Sequence, residues 1–199
     1  MPFIVLEGID ACGKGTVINR LGLELYNLNK NNHVLLTREP YQYAKVTKLL
    51  AEKDAKKRGK EALELFVKDR IEHCKIIKPL LKEGTIVLSD RYKHSTYAYQ
   101  IAQGVKFEKI HPLHKGLLVP ELTIIINVTA KEAMKRMEAE KRKTNQFEQQ
   151  TFLEKVRNNY LQLGKLLKEP IIYINGMQDR EKVYADVKKI VLQTLASSR

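Results

Sequence analysis

Phe3-Ile4-Val5-Leu6-Glu7-Gly8-Ile9-Asp10-Ala11-Cys12-Gly13-Lys14-Gly15-Thr16 is the stretch on which the reading of this chain turns. Phe3 to Leu6 is a short apolar run and predicts a buried strand. It ends at Gly8, and Gly13 and Lys14 follow. Val17 to Leu28 then places Ile18, Leu21, Leu25 and Leu28 at helical spacing. Strand, glycine-bounded loop, lysine and helix make a phosphate-binding P-loop. Such a loop turns backbone N–H groups inward, and the helix N-terminus adds unpaired donors and the positive end of its dipole. Gly8 and Gly13 permit positive φ and close backbone approach. Residues Gly8, Ile9, Asp10, Ala11, Cys12, Gly13, Lys14, Gly15 and Thr16 are therefore the expected triphosphate-binding set, with Lys14 reaching the β- and γ-phosphates.

One position departs from the strict pattern. Gly15 stands where Ser or Thr would follow the lysine, and Thr16 comes one residue later. Gly-Lys-Gly-Thr resembles the form found in adenylate kinases and other nucleoside monophosphate kinases. Thr16 is expected to touch a phosphate and is a weak candidate for a metal ligand.

The chain has 199 residues, enough for one α/β domain with a full core. It has no run of about 18 apolar residues, so no membrane span is expected. No charged and then apolar leader precedes the first strand, and two cysteines, Cys12 and Cys74, make no disulfide framework. A cytoplasmic setting is the expectation. The net charge is +13, from 36 basic and 23 acidic side chains. Nucleic acid or a phosphorylated small substrate could partner such a surface. The basic residues gather at Lys53 to Lys60 and Lys131 to Lys143, and solvated helix faces account for most of them.

Further along, strands are predicted at His33–Thr37, Thr85–Leu88, Leu122–Val128 and Ile171–Ile174. Helices are predicted at Ala44–Glu52 (weak), Glu61–Lys82, His94–Gln103, Phe107–Leu117, Ala130–Glu140, Gln149–Lys168 and Arg180–Leu195. Asp54 to Lys60 reads as a charged connector. Strands alternate with long helices, which implies an α/β fold: a doubly wound, five-stranded parallel sheet of P-loop NTPase type flanked by helices. A single domain over residues 1–199 is expected. Lys141 to Gln146 is basic without apolar period, and residues 141–148 are the expected mobile lid.

No Asn/Thr-Lys-x-Asp guanine-recognition run is present, which weighs against a GTPase. The remaining motifs narrow the choice. Arg38-Glu39-Pro40 ends the second strand, and Phe66 and Arg70 share a face of the long helix. Asp90-Arg91-Tyr92 ends the third strand, and Ser95-Thr96-Tyr97-Ala98-Tyr99-Gln100 follows. Pro120-Glu121-Leu122-Thr123 and Phe147-Glu148-Gln149-x-x-Phe152 come next in the same order. Together they resemble the thymidylate kinases over nearly the whole chain.

The resemblance implies transfer of the ATP γ-phosphoryl group to dTMP, giving dTDP and ADP in dTTP synthesis, with Mg²⁺ as cofactor and a homodimer as the assembly. It implies an acceptor site of Asp10, Arg38, Phe66, Arg70, Arg91, Thr96 and Tyr99. Phe66 would stack on the pyrimidine, Arg70 would donate to a base carbonyl, and Thr96 would contact the base. Tyr99 would pack under the sugar, Asp10 would lie near the 3′-hydroxyl, and Arg91 would hold the acceptor phosphate. Asp90 would hold Mg²⁺ directly or through water. On periodicity alone Phe66 would be a core residue, but Arg70 on the same face argues otherwise, since a core-facing arginine needs a partner. Ala11 stands where many members of the family carry a P-loop arginine, and Gln146 replaces another basic position. The transition-state cation is then expected from the lid: Arg142 first, with Arg136 on the preceding helix as the second candidate, beside Lys14 and Arg91 in the catalytic set. Tyr41-Gln42 replace two glycines common in bacterial members. The competing readings are another P-loop kinase of nucleoside monophosphates or deoxynucleosides, and a P-loop protein that binds nucleic acid.

Overall fold

A computed structural model describes residues 2–42, 46, 48, 59–139 and 146–197. Five strands, β1 (Phe3–Glu7), β2 (Val34–Arg38), β3 (Ile86–Asp90), β4 (Leu122–Asn127) and β5 (Ile171–Asn175), form one sheet. Their order is β2-β3-β1-β4-β5, and every pair is parallel. Parallel neighbours need crossovers, and the helices supply them: α1 (Lys14–Leu28), α2 (Gly59–Lys82), α3 (Lys93–Ala102), α4 (Phe107–Ile110), α5 (Ala130–Ala139), α6 (Gln146–Leu167) and α7 (Arg180–Ser197). The doubly wound α/β reading holds.

Strand β1 is buried along its whole length because helices cover both faces of the sheet. Its side chains alternate accordingly. Ile4 and Leu6 join a large cluster with Leu21 and Leu25 of α1, Leu88 of β3 and Ile124 of β4. Phe3 and Val5 join a smaller one with Ile77 of α2, Val87 and Tyr92. The register brings the carboxyl ends of three strands together. Leu6 pairs with Asp90, and Arg38 pairs with Asp90 on the other side. The residues just beyond those ends, from Gly8, Glu39 and Arg91, therefore meet at one edge of the sheet, where open α/β folds bind ligands.

Two expected helices are corrected. The helix over Phe107–Leu117 stops at Ile110 and gives way to a 3₁₀ turn at His111–His114. Pro112 has no N–H to continue the helix, and its ring opposes the preceding turn. Helix α6 begins at Gln146, not Gln149, so the last part of the expected 141–148 lid is helical. Helix α2 continues past Pro79 to Lys82, where Gly84 (φ 91°) ends it in the left-handed conformation. Apart from positions 46 and 48, the weak helix at 44–52 lies outside the described residues, as do 54–58 of the charged connector and Lys141, Arg142 and Lys143 of the lid.

Candidate active site

The loop between β1 and α1 is shaped by steric necessity. A Cβ on Gly8 would stand 2.6 Å from the Ile126 carbonyl oxygen and 2.8 Å from Cys12 Sγ, and its φ is 138°. Only glycine fits there. Gly13 (φ 101°) and Ala11 (φ 58°) also lie at positive φ, bending the chain into a tight curl. Lys14 is buried, and its ammonium donates to the carbonyls of Gly8 (3.0 Å) and Ile9 (3.1 Å). Thr16 is exposed in the first turn of α1.

Beside this loop opens a cavity of about 280 Å³. Two hydrogen-bonded groups line it beside Phe66: Arg70 with Thr96, and Arg91 and Tyr99 with Asp10. Phe66 is half-buried and lines this space rather than lying enclosed in the core. Arg70 is 2% exposed, so its charge needs compensation in place. Glu39 provides it: Arg70 Nε donates to Glu39 Oε2 at 2.7 Å, and Nη2 lies 2.6 Å from the same oxygen. Nη2 also donates to Thr96 Oγ1 at 3.0 Å. Nη1 lies 2.8 Å from Nε2 of His114, whose Nδ1 donates to the Ile110 carbonyl at 3.0 Å. Burial and the adjacent Arg70 charge push the His114 pKa down to about 3, so the ring is neutral and accepts from Arg70. His73 completes the support, bridging Glu39 Oε1 (3.1 Å) and Thr37 Oγ1 (2.7 Å) under a stacked Tyr41 ring.

In the second group Arg91 adopts φ 73°, a conformation uncommon for a non-glycine residue and typical of functional sites. Its Nη2 pairs with Asp10 Oδ1 at 2.5 Å, and Nη1 donates to Ser95 Oγ at 2.8 Å. Tyr99 donates to Asp10 Oδ2 at 3.1 Å. Burial works against the Asp10 charge, but Arg91, Lys14 and the Tyr99 hydroxyl outweigh it and hold the carboxyl below its ordinary value. Burial also works against the Arg91 charge, yet the carboxylates of Asp10 and Glu7 beside it raise its pKa further, so it stays cationic. Burial raises the Tyr99 phenol, which remains a protonated donor. Asp90 lies at the end of β3 facing the start of α1: its Oδ2 would be 3.9 Å from a Cβ on Gly15. Among the described residues its buried Oδ1 has no hydrogen-bond partner, an arrangement that favours a cation ligand over a structural acceptor.

The protein-family model for thymidylate kinase matches residues 6–187. The chain is 37% identical over 201 residues to a probable thymidylate kinase of Thermococcus onnurineus, covering 95% of this chain and 96% of that one. It is 36% identical to a thymidylate kinase of Thermoanaerobacter sp. strain X514, covering 97% and 98%, and 35% identical to one of Mesoplasma florum, covering 97% and 96%. The chain belongs to the thymidylate kinase family.

Six of the expected acceptor residues of this thymidylate kinase-family chain (Asp10, Phe66, Arg70, Arg91, Thr96 and Tyr99) line a single cavity. Arg38 does not; it is exposed at the end of edge strand β2. Arg136 is tied to its own helix by Glu132 (2.8 Å) and to the Gly176 carbonyl (3.1 Å). Arg142 lies outside the described residues. Sequence reasoning passed over Glu39, His73, His114, Glu7, Ser95 and Tyr160 as site residues. Glu7 carried one legible signal, a carboxylate closing an apolar strand. His114 carried none, since it reaches Arg70 from a turn 44 residues away in sequence. Among the described residues no helix is long and apolar enough to cross a membrane.

Proposed function

We propose that this chain transfers the γ-phosphoryl group of ATP to dTMP, giving dTDP and ADP, as one kinase domain with the basic segment 141–148 as its lid. The observation that carries this is the cavity, which gathers an aromatic plane, a buried guanidinium and a second guanidinium paired with Asp10 of the P-loop. Phe66 offers a face to a pyrimidine, while Arg70, held by Glu39 and His114, donates to its carbonyl edge. Thr96 accepts from Arg70 and offers its hydroxyl proton to the base. Tyr99 and Asp10 line the sugar position. Arg91 holds the acceptor phosphate through its planar fork.

The acceptor oxygen is ionised at neutral pH, so the reaction asks for positioning and charge stabilisation more than for proton transfer. Lys14 and the loop amides hold the donor phosphates. To do so Lys14 exchanges the Gly8 and Ile9 carbonyls for phosphate oxygens. The donor set at Asp90 suits Mg²⁺, a hard ion bound by oxygen, and among the described residues no group of three or more His, Cys, Asp or Glu forms a protein cage. Asp90 would hold the ion, with Thr16 a weaker contact, and the ion would add positive charge at the β- and γ-oxygens. Arg142 closes from the lid on the transferring phosphoryl, in place of the arginine that Ala11 lacks. A cytoplasmic homodimer, needing no nucleic acid, belongs to the same reading.

Initial rates of ADP formation with dTMP, dUMP, UMP, AMP and CMP test it. The expected order is dTMP, then dUMP, then UMP, with the methyl group contributing about 1–3 kcal/mol, or roughly 10–200-fold. AMP or CMP as the best acceptor overturns the acceptor assignment. Absence of ADP formation with every acceptor overturns the kinase reading.

A further inference from the structure

Glu7, the last residue of β1, is fully buried in a strand that is otherwise apolar. A buried carboxylate is costly unless its oxygens are well served. Here four donors serve them. Oε1 accepts from the backbone N–H of Tyr92 (2.8 Å) and of Ser95 (3.1 Å). Those amides belong to the N-cap and first turn of α3, which has no cap from its own side chains. Glu7 thus caps that helix from another strand, next to Arg91 and its left-handed turn. Oε2 accepts from Ser95 Oγ (2.7 Å) and Tyr160 Oη (2.9 Å), and these two hydroxyls stand 2.8 Å from each other.

The proton count in that triangle matters. Three links join Glu7, Ser95 and Tyr160, two hydroxyl protons are available, and a carboxylate contributes none. However the two protons are shared, both are used inside the triangle. The outward lone pairs of Ser95 and Tyr160 then face Arg91 Nη1, at 2.8 and 3.4 Å. Burial and the Glu7 charge raise the Tyr160 pKa well above its ordinary value, so its proton stays on.

We propose that Glu7 is a positioning residue for the acceptor phosphate: it holds the turn that carries Arg91 and directs the Ser95 and Tyr160 oxygens to the Arg91 guanidinium. This rests on the reading of Arg91 as the group that holds that phosphate. Replacing Glu7 by glutamine keeps the shape and spoils the protons. With the amide oxygen toward the triangle, the amide nitrogen meets the N–H groups of Tyr92 and Ser95. With the nitrogen toward the triangle, four protons compete for three links, and one is forced outward toward Nη1.

The test uses a pair of ligands that share base and sugar and differ in the phosphate. Calorimetric titration of dTMP and of thymidine into the parent, Glu7→Gln and Ser95→Ala separates the phosphate contribution from the rest. Loss of one charge-assisted arrangement predicts that Glu7→Gln weakens dTMP by about tenfold or more, while thymidine changes by less than about twofold. Ser95→Ala leaves the carboxylate and its backbone bonds in place and cuts the link to Arg91. It should shift the dTMP-to-thymidine ratio in the same direction by a smaller factor, and it decides the matter if Glu7→Gln does not fold. A parallel loss for both ligands, or an unchanged ratio in both variants, overturns the proposal and leaves Glu7 a structural cap. A parent that binds dTMP no better than thymidine overturns the reading of Arg91 itself, and this proposal with it.

Discussion

The cavity and the phosphate loop beside it are finished to different degrees. In the cavity each charge already has its counter-group. Glu39 and neutral His114 surround Arg70, and Asp10 pairs with Arg91. In the loop Lys14 is turned onto the carbonyls of Gly8 and Ile9, and beside it Asp90 Oδ1 has no partner among the described residues. The physical difference is one of reorganisation. A base entering the cavity meets donors held in place by neighbours, which favours selectivity because wrong hydrogen-bond patterns leave buried groups unpaired. A triphosphate entering the loop must draw Lys14 away from the carbonyls and gather cations around itself. On the proposed assignment, acceptor choice is built into the fold and donor-side catalysis is assembled by the ligand.

Three measurements can break or sharpen that contrast. The largest effect is expected at the lid. If the donor side is completed by a mobile arginine, Arg142→Ala lowers turnover by about 10³-fold, with little change in KM. Arg136, the second candidate, is held by Glu132 and the Gly176 carbonyl and could serve only from that fixed position, so Arg136→Ala is expected to keep turnover within a few-fold. Steady-state kinetics of the two variants tell them apart, and the lid proposal fails if Arg142→Ala also stays within a few-fold of the parent.

Next comes Lys14. Its removal from folded protein should cost on the order of 10²–10³ in turnover, as for one preorganised electrostatic group, while dTMP affinity in the cavity is kept. Near-normal turnover would remove the loop from the mechanism. Equal loss of dTMP affinity would show that the two regions are not separable.

The smallest effect belongs to the finished side. His114 is neutral in the fold, with a pKa near 3 against 6.5 in the unfolded chain. Below about pH 6.5 the unfolded chain binds a proton that the fold excludes, so stability falls as the pH drops toward 3. The contribution between pH 7 and pH 5 is on the order of 1–2 kcal/mol. Urea unfolding at both pH values should show that His114→Gln, which keeps an acceptor for Arg70, loses less stability on acidification than the parent. An identical loss in both would mean that the ring is not held neutral.

Much of this was legible in one dimension. The apolar run before Gly8, the glycines and Lys14 specified a strand, an anion loop and a helix, because local sterics and periodicity act within a few residues. Alternation of strands and helices implied a parallel sheet, since parallel neighbours need crossovers. Phe66 and Arg70 could be placed on one face from a spacing of four. The helix ends were less readable: Pro112 split one expected helix, and α6 started inside the expected lid. What the sequence left open was every partner that stabilises a charge. Glu39, His73 and His114 reach Arg70 and one another from separate elements, and Glu7 reaches Tyr160 across 153 residues. Sequence decided which residues could carry phosphate chemistry, because backbone geometry and side-chain type are local properties. Only the tertiary structure decided which of them are held, and by what, because compensating a buried charge depends on distances of about 3 Å between groups that the chain order keeps far apart.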